Sequence, residues 1–142
     1  DINIEGYSDK KTPLHRAAEI DRNIPFDRDK QLKLEDIRFL LDNGARIDAR
    51  DSANKTPLYL AVESGFDEAA VLLMDRGADI NASDRNGETL LHAAAMNCDK
   101  NIMDELMKRG AAIREDAVDR APDDIARNNK CGNTIINHQK AE

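Results

Sequence analysis

Three histidines, two cysteines and many scattered carboxylates are the residues of this 142-residue chain with chemistry to offer. A histidine acting as general base needs a nucleophile or a carboxylate at a fixed distance. His15 and His92 each stand fourth in a short phrase, Thr12-Pro-Leu-His15 and Thr89-Leu-Leu-His92. Tyr59 holds the same place in Thr56-Pro-Leu-Tyr59. A position that accepts a phenol for an imidazole, and brings no catalytic partner with it, is read as structural. Cys98, Cys131, His92 and His138 could be drawn as four zinc ligands, but the short C-x2–4-C and H-x3–5-H spacings of such sites are absent. Asp51, Asp84 and Asp116 head runs of turn formers, where their carboxylates serve Asx turns. A paired acid–base site needs two carboxyls converging in a pocket, and no spacing here suggests one. No GxGxxG or GxxxxGK(S/T) phosphate loop is present. The chain is therefore read as non-enzymatic, with no catalytic residue, no metal and no cofactor.

The elements around these residues repeat. Gly44, Gly77 and Gly110 are 33 residues apart, and each is followed by alanine. Upstream recur TPLHRAA from Thr12, TPLYLAV from Thr56 and TLLHAAA from Thr89. A fixed period of this size means stacked supersecondary units. In the clearest copy, Asp51–Lys55 reads as a tight turn. Thr56 caps a short helix with Pro57 at its first position, and Gly65 stops it; in the next unit Cys98 stands at that position, so Asn97 is expected to take the left-handed conformation there. Ala69, Val71, Leu72 and Leu73 mark a second helix, which Gly77 ends. Neither helix can bury its faces within one unit, so neighbours must cover them.

Composition fits this reading. Apolar residues make up 40% of the chain but aromatics only 4%, so the core is built from small and aliphatic side chains. The net charge of −7 opposes binding to phosphate backbones or anionic membranes. No apolar run reaches membrane-spanning length. The first residue is Asp1 rather than Met, from which a trimmed N-terminus or a longer parent chain is expected. Cys98 and Cys131 are read as free thiols of a reducing, cytoplasmic compartment. In successive units they would lie one helix layer apart, about 8–10 Å, whereas a disulfide needs Cα atoms within about 7 Å.

Helix–turn–helix units every 33 residues, carrying T-P-L-H-x-A, resemble the ankyrin repeat family over nearly the whole chain. The resemblance implies an all-α solenoid of stacked helix–turn–helix units with short β-turn fingers. It also implies a concave, protein-binding face, and a histidine that bonds locally to tie finger to helix. In this register residues 1–142 form one domain. Residues 1–11 are a partial finger and 12–50 the first unit. Residues 51–83 and 84–116 are the second and third units, and 117–142 a degenerate C-terminal cap. The first unit carries about eleven extra residues within 21–34. Ile24 and Phe26 are expected to fold over its apolar edge, the alternative being that the insertion is a docking loop, and the helix formers after Asp27 are expected to lengthen its second helix. In the cap, Ala121-Pro-Asp-Asp-Ile-Ala126 replaces the motif one residue early, so its finger is expected to be one residue short, with Asp123 at an apolar position.

The resemblance implies that finger tips and inner-helix ends do the binding. These map to Ser52, Ala53, Lys55, Glu63, Arg85, Asn86, Glu88, Met96 and Asn97, with Arg76 bordering the same face. The expected function is a monomeric protein–protein interaction module with a protein partner, and neither nucleic acid nor membrane. The alternative is a regulatory or targeting segment of a longer multidomain protein or secreted effector.

Overall fold

The computed structural model describes residues 1–21, 27–116, 119–122 and 124–125. Six helices lie among them: α1 (Pro13–Ala18), α2 (Asp27–Asp42), α3 (Pro57–Ser64), α4 (Asp67–Asp75), α5 (Leu90–Met96) and α6 (Lys100–Lys108). Each short inner helix packs on its own outer helix, α1 on α2, α3 on α4 and α5 on α6. The inner helices pack in the order α1, α3, α5 and the outer ones in the order α2, α4, α6. The result is a two-layer all-α solenoid. Among the described residues the only β pairing is an isolated bridge, Ser83 to Thr89.

Local chemistry sets the helix limits. Thr12, Thr56 and Thr89 are extended residues at the helix starts. The Thr56 hydroxyl accepts from the Tyr59 amide at 3.1 Å, satisfying a donor that the first turn leaves open. Pro13 and Pro57 sit in the first turn, where no N–H is needed. Gly65 ends α3 with φ 79°. α1 has no such glycine and ends at an extended Glu19. Lys33 of α2 supplies its cap instead, donating from Nζ to the carbonyls of Glu19 at 2.7 Å and Arg16 at 3.1 Å. The extra length of the first unit thus serves α1 directly. α2 has 16 residues, against 9 in α4 and in α6. Ile24 and Phe26 lie outside the described residues.

Small side chains let the layers close. Ala17, Ala18, Ala61, Ala69, Ala70, Ala93, Ala94 and Ala95 are all buried, interleaved with Leu14, Leu58, Leu73, Leu90, Leu91, Ile102 and Leu106. Phe66 and Tyr59 are the largest buried side chains. Polar groups join successive units. The Asn3, Asp48 and Asn81 side chains accept from the amides of Arg46, Asp79 and Ala112 at 2.8–2.9 Å. Arg76 pairs with Asp42 at 2.8 Å, and Arg109 with Asp75 at 2.7 Å.

Three details differ from expectation. The turn after α5 takes its left-handed residue at Cys98 (φ 54°), while Asn97 stays right-handed. Cys98 is also disulfide-bonded, not a free thiol. Layer spacing applies to helix positions, whereas Cys98 occupies an exposed turn, which packing does not hold at that distance. The chain's other cysteine, Cys131, lies outside the described residues. Thirdly, the fourth finger has normal length. Asp116 N–H bonds to Arg120 O at 2.9 Å, as Asp84 N–H does to Glu88 O. The missing residue belongs to the loop before it, between Gly110 and Asp116. Asp123 lies outside the described residues.

Gly77 ends its unit with φ 90° and has open space where a Cβ would stand. The penalty for replacing it is therefore backbone strain alone. Gly77→Val is expected to lose about 2 kcal/mol. Ser52 uses its backbone, donating to Asp9 O at 2.8 Å, and its side chain is exposed. Ser52→Ala is expected to be silent. Urea denaturation midpoints of the two variants check both.

Candidate protein-binding face

The second, third and fourth fingers are turns closed on an aspartate, Asp51, Asp84 and Asp116. Asp51 Oδ1 accepts from Ala53 N and Lys55 N, both at 2.9 Å. Asp84 Oδ1 accepts from Asn86 N at 2.8 Å and Glu88 N at 3.0 Å. The fourth turn residue has positive φ: Asn54 at 62°, Gly87 at 75°, Asp119 at 58°. Asparagine and glycine accept that region at low cost. The fingers then stack, with Arg85 N–H donating to Ala53 O at 3.1 Å and the Arg85 guanidinium to Ser52 O. Ser52, Ala53, Arg85 and Asn86 are thereby brought together, and of these Ala53 alone is half-buried.

The inner-helix ends carry the other candidates. Lys55 Nζ pairs with Glu63 at 2.6 Å and lies 5.3 Å from the centre of the Tyr59 ring. Lys11 and Glu19 make the same 2.6 Å pair one unit earlier. In the third unit the corresponding positions are Glu88 and Met96. Glu88 turns to Arg120 at 2.8 Å, and Met96 is left 54% exposed. Asn97 is half-buried and donates to Val62 O and Glu63 O, both at 2.9 Å. It caps the end of α3 as Lys33 caps α1. Arg76 is paired with Asp42 of the outer layer, not with a finger residue.

His15 and His92 are buried ties, and His138 lies outside the described residues. His15 Nε2 lies 3.0 Å from Lys55 O, a carbonyl of the next finger. A carbonyl only accepts, so the proton sits on Nε2. Nδ1 then accepts from Thr12 N at 3.1 Å and from its hydroxyl at 2.9 Å. His92 repeats this with Arg120 O at 2.9 Å and Thr89 N at 2.9 Å. The bond therefore reaches the neighbouring unit as well as the local turn. Tyr59 differs: its hydroxyl lies 3.5 Å from Asp84 Oδ2, and burial, with Asp84 beside it, pushes its pKa up. Among the described residues no group of three His, Cys, Asp or Glu side chains could hold a metal ion, and no helix is long and apolar enough to cross a membrane.

Sequence reasoning missed the Asn3, Asp48 and Asn81 acceptors and the Arg–Asp rungs. The signal was there, in Asp48 and Asn81 standing four residues after Gly44 and Gly77. The family model of ankyrin repeats, in three copies, matches residues 1–84 and 28–117. Among curated proteins none matches the chain.

Burial lowers the pKa of His15 below its ordinary 6.5. A proton on Nδ1 would face the Thr12 amide, a donor against a donor. The unfolded chain takes the proton first, so stability present above about pH 6.5 is lost as pH falls below it. Urea midpoints at pH 7.5 and 5.5 are expected to show this loss in the parent relative to His15→Gln, a difference that cancels other titrating groups.

Proposed function

The chain belongs to the ankyrin repeat family, whose repeats are protein–protein interaction modules, and from this we propose that it binds one protein partner through its fingers and inner-helix ends. The contact set is Ser52–Lys55, Glu63, Arg85–Glu88, Met96 and Asn97, with Arg76 at its border. The observation that carries this reading is the break in the Lys–Glu pattern at the third unit. Two successive units close the inner-helix end with a 2.6 Å ion pair, while the third presents an exposed methionine beside acidic and basic neighbours. An apolar point within a polar rim is how compact binding sites are built. The stacked fingers are tied by backbone hydrogen bonds, so little conformational entropy is lost on binding. The module works as a monomer, without catalysis of its own. A cytoplasmic setting no longer draws support from free thiols, because Cys98 is bonded.

Arg85→Glu is expected to weaken the partner about tenfold or more while leaving the helical circular dichroism unchanged. Added salt is expected to slow association with the parent more than with the variant. Partner affinity by biolayer interferometry, after capture from the native source, checks both. Deleting residues 22–31 tests the insertion as the docking element. Binding lost by that deletion, in a folded chain, but kept by Arg85→Glu would reject the concave face.

A further inference from the structure

The first finger is one residue longer than the next two. Gly6 N–H closes it on Lys11 O at 2.9 Å, whereas Asp51 N–H closes the second on Lys55 O at 3.0 Å and Asp84 N–H the third on Glu88 O at 2.9 Å. It still stacks in line, because Ser52 N–H donates to Asp9 O as Arg85 N–H does to Ala53 O. The added length sits at the tip, where Tyr7 stands wholly in solvent. Lys10 follows in the left-handed position (φ 55°) that Asn54 and Gly87 fill at low cost in the later fingers. Packing uses neither side chain. Both are exposed, and among the described residues neither enters a hydrogen bond or an ion pair.

Building on the concave-face reading, we propose that the stacked fingers bind an acidic, extended segment of the protein partner, received by Tyr7, Lys10, Arg50 and Arg85. The charge pattern selects acidity. Along the first three fingers and the inner-helix ends the carboxylates are already engaged. Asp9 pairs with Arg16 and Glu88 with Arg120, beside the Lys11–Glu19 and Lys55–Glu63 pairs. Asp51 and Asp84 accept from turn amides. Among the described residues, Lys10, Arg50 and Arg85 are left there without a carboxylate. The Arg50 guanidinium donates to Asn54 O at 3.1 Å and Ser83 O at 2.9 Å, and that of Arg85 to Ser52 O. These carbonyls hold both guanidiniums in place without neutralising them. The positive charge is thus fixed before a partner arrives, which lowers the entropy lost on binding.

The net negative charge of the chain sits elsewhere. Glu35 and Asp36 on α2, and Glu68 on α4, are exposed and in no ion pair among the described residues. The outer helices stand one helix layer, about 8–10 Å, behind the inner ones. That is at or beyond the Debye length of about 8 Å at physiological salt, so they repel an acidic segment weakly. Nucleic acid fits less well, since three cations neutralise few phosphates in a chain of net charge −7. Successive fingers also lie about 8–10 Å apart, and an extended chain rises about 3.3 Å per residue. Acidic side chains about three residues apart therefore reach Lys10 on the first finger and the arginines at the joint of the second and third. The Tyr7 hydroxyl can donate to a carboxylate, and its ring is of the type that dominates binding hot spots.

The test is selection of a display library of random twelve-residue peptides on the intact chain. Fluorescence anisotropy then gives the affinity of the selected peptides for the parent, Tyr7→Ala, Lys10→Asn and Lys100→Asn. The last removes the same charge from an exposed position on α6. The selected peptides are expected to carry Asp or Glu about three residues apart, and to lose binding when those acids become amides. Tyr7→Ala and Lys10→Asn are each expected to weaken them about fivefold, and Lys100→Asn to leave them unchanged. Urea midpoints of Tyr7→Ala and Lys10→Asn should equal or exceed the parent's, since asparagine suits the left-handed position better than lysine. Weaker binding is then separate from loss of fold. Enrichment of neutral or basic peptides, or of none, would overturn the proposal. So would an equal response to Lys10→Asn and Lys100→Asn, or binding of single-stranded DNA that the finger variants weaken. Peptides that need Arg85 and Met96 but ignore Tyr7 and Lys10 would overturn it and leave the concave-face reading standing. Peptides that need only residues 22–31 would overturn both.

Discussion

No unit of this chain satisfies itself. The imidazole of His15 needs the Lys55 carbonyl, and that carbonyl belongs to the following finger. The amide of Asp79 needs the Asp48 carboxylate of the preceding unit. Ala69 and Leu73 on α4, and Phe66 just before it, are buried in a layer that α2 and α6 flank on both sides. Burial and hydrogen bonding are thus completed at the same joints. A buried polar group without its partner costs about 1–3 kcal/mol, so each joint is held in one register as well as held together. The surface offered by the fingers inherits its order from this arrangement.

The period and the caps were legible because local backbone chemistry writes them. Thr at the start of each inner helix, and glycine after each outer one, recur in all three copies. Where a backbone demand can be met in another way, the sequence is silent. α1 lacks a terminal glycine, and nothing in the phrase after Ala18 says that Lys33, 14 residues after Glu19, will cap its carbonyls. Asn97 could be read as the left-handed residue of its turn, yet its amide is spent on the end of α3 and Cys98 takes the strain. The disulfide at Cys98 was misread for the same reason, because layer spacing applies to helix positions and this is a turn.

The candidate face is harder to read than the fold because it is defined by what packing leaves over. Ser52 and Arg85 stand out only when their backbone bonds are known. Glu88 and Met96 become informative by comparison with Lys11–Glu19 and Lys55–Glu63, pairs eight residues apart that periodicity alone does not flag.

The Arg76–Asp42 and Arg109–Asp75 rungs connect outer-helix ends across successive joints. They lie away from the buried core, so they act on the curvature of the stack more than on its cohesion. Under mechanical load such rungs are exposed first. Each spans a single joint, so force drawn along the chain would be borne by one joint at a time. A freed 33-residue unit such as 51–83 would release about 110 Å of extended chain. The ion-pair share of each joint is exposed, so it falls as salt screens it, while the buried share stays.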